Sequence, residues 1–206
     1  MPPFHDVRFH LEGLWLLIQG DARGLQRFDI SDAGVLRSFH AALWCVPAIL
    51  IGWVFQRIAY FHAYPYGGES MTTFVTKMIV IEAAQWGLPV LCLAGLSFAL
   101  QFRPLLRTLI VARNWFAVPL AYLVAVVLTP VRLLSDQKGG ASAFTTFSST
   151  ALSLALWAGV LILGWRMLVT IMGGSPWVRG ATLVLLIFCQ LVLVQGVASL
   201  MGVHAA

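Results

Sequence analysis

The sequence predicts an all-α polytopic membrane protein: a bundle of five transmembrane helices preceded by an N-terminal interfacial amphipathic segment. Three observations lead to this fold class. Of the 206 residues, 60% are hydrophobic and 10% are charged, whereas soluble domains carry about 25% charged residues. The mean hydropathy is +0.87. Five separate apolar stretches each reach the roughly 20 residues that a spanning helix needs.

Residues 1–35 form an N-terminal leader that is too short and too mixed in character to cross a membrane. Two interpretations stay open for it. The leader lies in the membrane interface as an amphipathic segment, or it packs on the cytoplasmic ends of the helices. The start of the chain has no basic stretch followed by an apolar run, so we expect no cleaved signal peptide. The bulky residues that either interpretation must place are Phe9, Leu11, Leu14, Trp15 and Ile18.

Residues 36–206 form the predicted transmembrane domain, and we expect its spans at about 37–61, 74–100, 112–134, 148–172 and 178–202. Ser31 or Asp32 is the expected N-cap ahead of the first span. Pro47, Pro89 and Pro119 fall near the middle of spans one to three. Proline inside a helix removes a hydrogen bond, so we expect local kinks there.

The string IMGGSPWVRG predicts a sharp turn between spans four and five. Gly173 or Gly174 can adopt the left-handed conformation that ends a helix, and Pro176 suits the first position of the next one. Ser175 is the expected cap. The sequence therefore predicts a tight antiparallel hairpin at this point.

The distribution of Lys and Arg predicts the orientation of the chain, because these residues accumulate on the cytoplasmic side. Counting the leader and the ends of the spans gives nine on one side and four on the other. We therefore expect a cytoplasmic N-terminus and a C-terminus on the far side. The nine are Arg8, Arg23, Arg27, Arg37, Arg103, Arg107, Arg113, Arg166 and Arg179, and the four are Arg57, Lys77, Arg132 and Lys138.

Glu82 lies inside the second span, where an ionisable side chain is costly and usually faces protein or water. Helical spacing puts Gln85 on its face, and Pro89 cannot donate to the carbonyl of Gln85. Lys77 points about 140° away from Glu82, at about 100° per residue. Arg57 and Glu82 are equally far from the middle of the intervening loop, so an antiparallel hairpin brings them to one depth. The sequence therefore predicts an Arg57–Glu82 ion pair.

Gln56 or Gln195 is the expected supplementary donor, so the predicted intramembrane polar cluster contains Arg57, Glu82, Gln85 and Gln195. Three roles stay open. The pair fixes helix packing, it serves a proton relay or substrate pathway, or Glu82 extends to the interface. Fixing helix packing is the preferred role, because an isolated charge in a low-dielectric site costs several kcal/mol.

No catalytic, metal or cofactor site is predicted. His40 and His62 lie at opposite ends of the first span, about 30 Å apart at 1.5 Å per residue, which argues against paired haem ligands. Cys45, Cys92 and Cys189 stand in separate apolar runs without a C-x-x-C pair. Known nucleotide-binding, hydrolase and metalloprotease motifs are missing. The basic residues are scattered singly, so we expect no nucleic-acid partner.

Five spans, a cytoplasmic leader and a short far-side C-terminus resemble the layout of the Yip1-like membrane protein superfamily. The likeness covers most of the chain, and YPYGG at residues 64–68 is the nearest string to the short aromatic-glycine motifs of that family. The leader string GDARGLQRFDISDAGVLRSF gives the chain the look of small bacterial inner-membrane proteins. The resemblance implies a five-helix fold and transfers no functional residue.

The sequence predicts a non-catalytic accessory, assembly or scaffold subunit of a larger inner-membrane complex, with the bilayer and other membrane subunits as partners. The alternative is a small transporter or channel that uses Glu82, Gln85 and Arg57 along a polar pathway. An integral-membrane enzyme is disfavoured, because no two catalytic groups converge in the sequence.

Overall fold

The structure, a computed structural model, describes residues 4–63, 69–130 and 143–203, and within these ranges the chain is helical without any strand. Five stretches are long and apolar enough to cross a membrane, which indicates a multi-pass membrane protein. The predicted fold class is confirmed to this extent. The stretches are Asp32–Ile58, Met71–Ala99, Arg103–Val127, Phe147–Met172 and Pro176–Leu200.

The helices follow one another along the chain. A 3₁₀ turn, Ala22–Arg27, follows the first helix, and another, Arg103–Leu105, precedes the fifth. Two π-helical turns, Val124–Leu128 and Cys189–Leu193, extend the fifth and seventh helices. The helices are α1 Phe4–Gln19, α2 Asp32–Ser38, α3 Ala41–Ala63, α4 Met71–Ala99, α5 Leu106–Leu123, α6 Ala143–Met172, α7 Pro176–Phe188 and α8 Val194–Leu200.

The predicted helix signals at two chain positions are confirmed. Ser31 caps α2, since its side-chain oxygen accepts a hydrogen bond from the backbone N–H of Gly34 at 3.0 Å. Gly173 and Gly174 have φ of 55° and 56°, in the left-handed region, and Pro176 begins α7. Ser175 occupies the cap position but makes no capping hydrogen bond with its side chain.

The first and third predicted spans differ from the helices of the structure. The first is divided between α2 and α3. Between them, the backbone N–H groups of Phe39 and His40 donate to the carbonyl oxygens of Leu36 and Arg37, three residues earlier, which is the 3₁₀ pattern and not the α-helical one. The third begins earlier than residue 112, because α5 already starts at Leu106. Arg107 contacts Asp32 at 2.6 Å.

Several sequence predictions fall outside the described residues. They concern the YPYGG string, the end of the third predicted span beyond residue 130, Arg132 and Lys138. The helices with central prolines continue through them: α3 contains Pro47, α4 contains Pro89 and α5 contains Pro119.

The chain divides into two compact units, of which the first comprises Met1–Phe55 and Arg107–Gly173. In this unit α1 packs on the 3₁₀ turn Ala22–Arg27 and on α6. Gly13 and Gly24 permit the first of these contacts, because a Cβ on Gly24 would lie 2.4 Å from the carbonyl oxygen of Gly13.

Two side chains of α6 hold the end of α1. Arg166 donates from Nε to the carbonyl oxygen of Ile18 at 2.6 Å, and Thr170 donates to that of Leu17 at 2.8 Å. The last carbonyls of a helix have no partner within it, and the bond from Arg166 satisfies that of Ile18. The Leu17 carbonyl also accepts from the backbone N–H of Gly20 at 3.1 Å, so Thr170 adds a second donor there. The leader therefore packs on protein along this side.

The leader divides its bulky residues between a buried and an exposed face. Leu14 and Ile18 are buried, whereas Phe9 and Trp15 are 41% and 58% exposed. Val7 and Leu17, which the pattern did not single out, complete the buried face. Packing on α6 explains the division, since only one side of α1 faces that helix.

A buried polar contact joins α2 to α5 in the first unit. Asn114, fully buried, donates from Nδ2 to the hydroxyl oxygen of Ser38 at 2.9 Å, and Ser38 donates to the carbonyl of Val35 at 2.7 Å. Buried polar groups need such partners, because an unsatisfied one costs about 1–3 kcal/mol. This contact fixes α2 beside α5.

His10 lies between aromatic rings of the first unit and links the leader to α5. Its ring centroid is 4.4 Å from that of Trp115 and 6.0 Å from that of Phe28, and its Nδ1 is 3.0 Å from the carbonyl oxygen of Arg27. Burial lowers the pKa of His10 below 6.5, an effect that the Arg27 carbonyl and the charges of Asp6 and Asp29 oppose. The folded leader therefore favours the neutral imidazole.

This lowered pKa predicts that acid loosens the leader. A group whose pKa is lower in the folded state stabilises it above the unfolded value of 6.5, and this contribution is lost as pH falls through the folded pKa. We expect weaker protection of the α1 amides, measured as the observed exchange rate relative to the intrinsic rate at each pH, as the pH falls from about 7 to about 5. His10→Phe keeps an aromatic ring and should remove this pH dependence. Equal pH dependence in both proteins would contradict the prediction.

The second unit comprises Gln56–Leu106 and Gly174–Ala206. Its core forms where α4 packs on α7, on the π-helical turn and on α8. Apolar side chains from these elements fill it. They include Phe74, Met78, Leu93, Cys189, Val194 and Ala198.

Candidate functional site

Arg57 lies near the end of α3 in the second unit, with its guanidinium among aromatic rings. Its Cζ is 5.5 Å from the ring centroid of Tyr60, 4.5 Å from that of Phe61 and 5.0 Å from that of Phe74. Its Nη2 donates to the carbonyl oxygen of Glu69 at 2.8 Å. Cation–π attraction strengthens when water is excluded, so these rings stabilise the charge without a carboxylate beside it.

Glu69 connects this arginine to a second cation. The ammonium group of Lys77 lies 2.5 Å from the carboxylate of Glu69, and the two side chains are only 24% and 16% exposed. The backbone N–H of Glu69 donates to the hydroxyl of Tyr60 at 3.4 Å. Glu69 directly precedes Ser70, the N-cap of α4, where a negative charge complements the helix dipole.

Arg57, Glu69 and Lys77 thus form one charged group, which we call the α3–α4 cluster. It contains two formal positive charges and one negative charge. Its contacts are ionic and hydrogen-bonded. The geometry suits a cluster that fixes the ends of α3 and α4 to each other.

The predicted partner of Arg57 was Glu82, and the structure gives Arg57 other contacts: the Glu69 carbonyl and three rings. Glu82 and Gln85 are half-buried on α4.

Gln195, the fourth member of the predicted cluster, is exposed on α8. The gathering of Glu82, Gln85 and Gln195 around Arg57 stays a prediction from the sequence. The expectation that Lys77 does not pair with Glu82 agrees with its contact to Glu69. Sequence reasoning overlooked Glu69 because it stands in the loop string GGES; its position just before a Ser cap was the available signal.

Removing the ammonium group of Lys77 should weaken the second unit. Lys77→Met leaves the Glu69 carboxylate without its cation, and we expect a loss of about 1 kcal/mol, because the pair is not fully buried. Thermal unfolding in detergent of Lys77→Met, Glu69→Gln and the double variant forms a thermodynamic cycle. If the stability losses of the two single variants simply added up in the double variant, the two side chains would not interact, and the pair would be contradicted.

Within the described ranges no three His, Cys, Asp or Glu side chains converge as a metal site would require. Comparison with protein-family models, curated proteins and solved structures gives no match for this chain. The Yip1-like layout therefore stays a prediction from the order of the spans. What the described residues establish is a multi-pass helical chain with one half-buried ionic cluster.

Proposed function

We propose that this chain is a non-catalytic accessory, assembly or scaffold subunit of a larger inner-membrane complex. The observation that carries the proposal is the outward surface of the spans. Only 17% to 39% of each candidate span is buried within the chain. Most of the apolar helix surface is thus available to lipid or to other helices.

One outward face of α4 is suited to another helix. Ala83, Gly87, Leu91 and Gly95 follow one another at intervals of four residues, and all except the half-buried Gly87 are exposed. A Cβ on Gly87 or Gly95 would meet nothing within 4 Å. Small residues at this spacing let two membrane helices approach closely, and Leu91, 68% exposed, can fill the partner's groove.

An outward polar residue supports the same proposal. Gln195 is exposed within the span Pro176–Leu200. An amide that faces hydrocarbon lacks hydrogen-bond partners, whereas a neighbouring helix can supply them at a gain of about 1 kcal/mol. We therefore assign Gln195 to a contact with another subunit rather than to the predicted intramembrane cluster.

Extraction from native membranes in mild detergent tests the proposal. We expect a stoichiometric partner to accompany the chain, and Gly87→Leu with Gly95→Leu should reduce its recovery. Gly159→Leu is the matched control, since its Cβ also enters open space but on α6. A chain that elutes alone would contradict the proposal.

The transporter alternative has less support. It requires Arg57, Glu82 and Gln85 along one pathway, but Arg57 contacts the Glu69 carbonyl. Its test is ion or solute flux in liposomes with the Glu82→Gln variant. Flux that depends on Glu82, in a chain purified without partners, would replace the subunit proposal.

We also propose a cytoplasmic N-terminus, a far-side C-terminus and a leader at the cytoplasmic interface. The basis is the nine-to-four distribution of Lys and Arg. Exposed Phe4 and Trp15 on the outer side of α1 support the interfacial position of the leader. Labelling of single introduced cysteines by an impermeant reagent in intact cells tests this orientation.

A further inference from the structure

An open groove of about 490 Å³ runs along the outer face of α1. Its apolar lining includes Phe4, Leu11 and Trp15, and one rim carries Arg8, Glu12 and Arg27. Phe4 is 70% exposed and Trp15 is 58% exposed. The groove thus combines an apolar floor with an ionic rim, the two properties that an amphiphilic ligand requires.

The rim has an excess of positive charge. Arg8 donates from Nε to the Glu12 carboxylate at 2.8 Å, and Arg27 donates from Nη1 to its other oxygen. Two guanidinium groups therefore share one carboxylate. Arg23 in the leader and Arg37 in α2 each have a separate carboxylate, on Asp21 and Asp29. The net positive charge of the rim therefore favours binding of an anion.

The groove begins beside a candidate membrane span. The ring of Phe4 lies 6.0 Å from that of Trp44, near the start of α3 and within the span Asp32–Ile58. Tryptophan is typical of the headgroup level of a bilayer. From residue 4 to residue 15 the groove follows about 16 Å of helix, close to half of the roughly 30 Å hydrocarbon thickness. One acyl chain of a single leaflet has this length.

We propose that the groove binds one anionic phospholipid, with an acyl chain along Phe4, Leu11 and Trp15 and the phosphate at Arg8 and Arg27. The phosphate accepts hydrogen bonds from the two guanidinium groups. Glu12 competes with it for them, so this carboxylate limits the affinity. The site is independent of the proposed subunit role.

The test uses the full chain in phosphatidylcholine nanodiscs that contain brominated phosphatidylglycerol or brominated phosphatidylcholine. Bromine quenches nearby tryptophan fluorescence, and the difference from Trp15→Phe isolates the contribution of Trp15. We expect Trp15 to be quenched preferentially by the anionic lipid. Each of Arg8→Gln and Arg27→Gln should lower this preference about fivefold, the effect of about 1 kcal/mol per basic residue.

Glu12→Gln gives the sharpest result, because it should raise the preference for the anionic lipid. Arg37→Gln is the matched control: it removes the same charge from α2, outside the groove, and should leave the preference unchanged. Equal quenching by the two lipids, or an equal effect of Arg37→Gln, would overturn the proposal. Absence of quenching by either lipid would also overturn it, because no acyl chain would then lie beside Trp15.

Discussion

Gly24→Ala should detach the leader from the first unit. The new Cβ would lie 2.4 Å from the carbonyl oxygen of Gly13 and 2.9 Å from Cγ of Leu17. The first of these atoms belongs to the backbone and cannot rotate away. Overpacking of this kind costs about 1–3 kcal/mol or more. We expect faster hydrogen exchange throughout residues 4–27, with the spanning helices unchanged.

The control for Gly24→Ala is Gly159→Ala, in the same unit. A Cβ at Gly159 would meet nothing within 4 Å, so this variant should leave exchange in the leader as it is. If the two variants gave the same exchange pattern, the close contact between Gly13 and Gly24 would not hold the leader in place.

Arg166→Leu should free the end of α1 while leaving α6 helical. It removes the donor to the carbonyl oxygens of Ile18, at 2.6 Å, and Gln19, at 3.4 Å. A hydrogen bond from a charged group contributes about 1.5–3 kcal/mol, and we expect the lower end because Arg166 is exposed. Proteolysis after residue 18 should become faster, whereas cleavage elsewhere should not change.

Two further variants separate this bond from general effects of charge. Arg166→Lys keeps the charge and one donor, so it should restore part of the protection. Thr170→Val removes the bond to the Leu17 carbonyl at nearly constant volume and should have a smaller effect in the same direction. A full loss of protection in Arg166→Lys, equal to that in Arg166→Leu, would contradict the role of Arg166 as a donor.

The positions of the spans could be predicted because their signal is local. A run of apolar residues of sufficient length determines a membrane helix almost alone. The cap at Ser31 and the turn at Gly173 and Gly174 depend on neighbours within four residues and were also predicted correctly. The early start of α5 was not predicted. It includes Arg107, which pairs with Asp32, and these two residues are far apart in the sequence.

The contacts that position the leader could not be predicted, because they join residues that are far apart in the sequence. Asn114 and Ser38 are 76 residues apart, and Arg166 and Ile18 are 148 apart. No local pattern indicates such pairs. The contact of Arg57 with the Glu69 carbonyl was likewise not predicted, because hairpin symmetry gives the depth of the backbone but no direction for a long side chain.

Site-specific photocrosslinking in intact native membranes tests most directly whether the outward helix faces meet other proteins. A photoreactive residue replaces Leu91, exposed on the outward face of α4, or, as the control, Leu93, which is fully buried on the same helix. We predict one discrete protein adduct from position 91 and none from position 93. Adducts with lipid alone at position 91, with no protein band of higher mass in gels, would contradict the proposed subunit role.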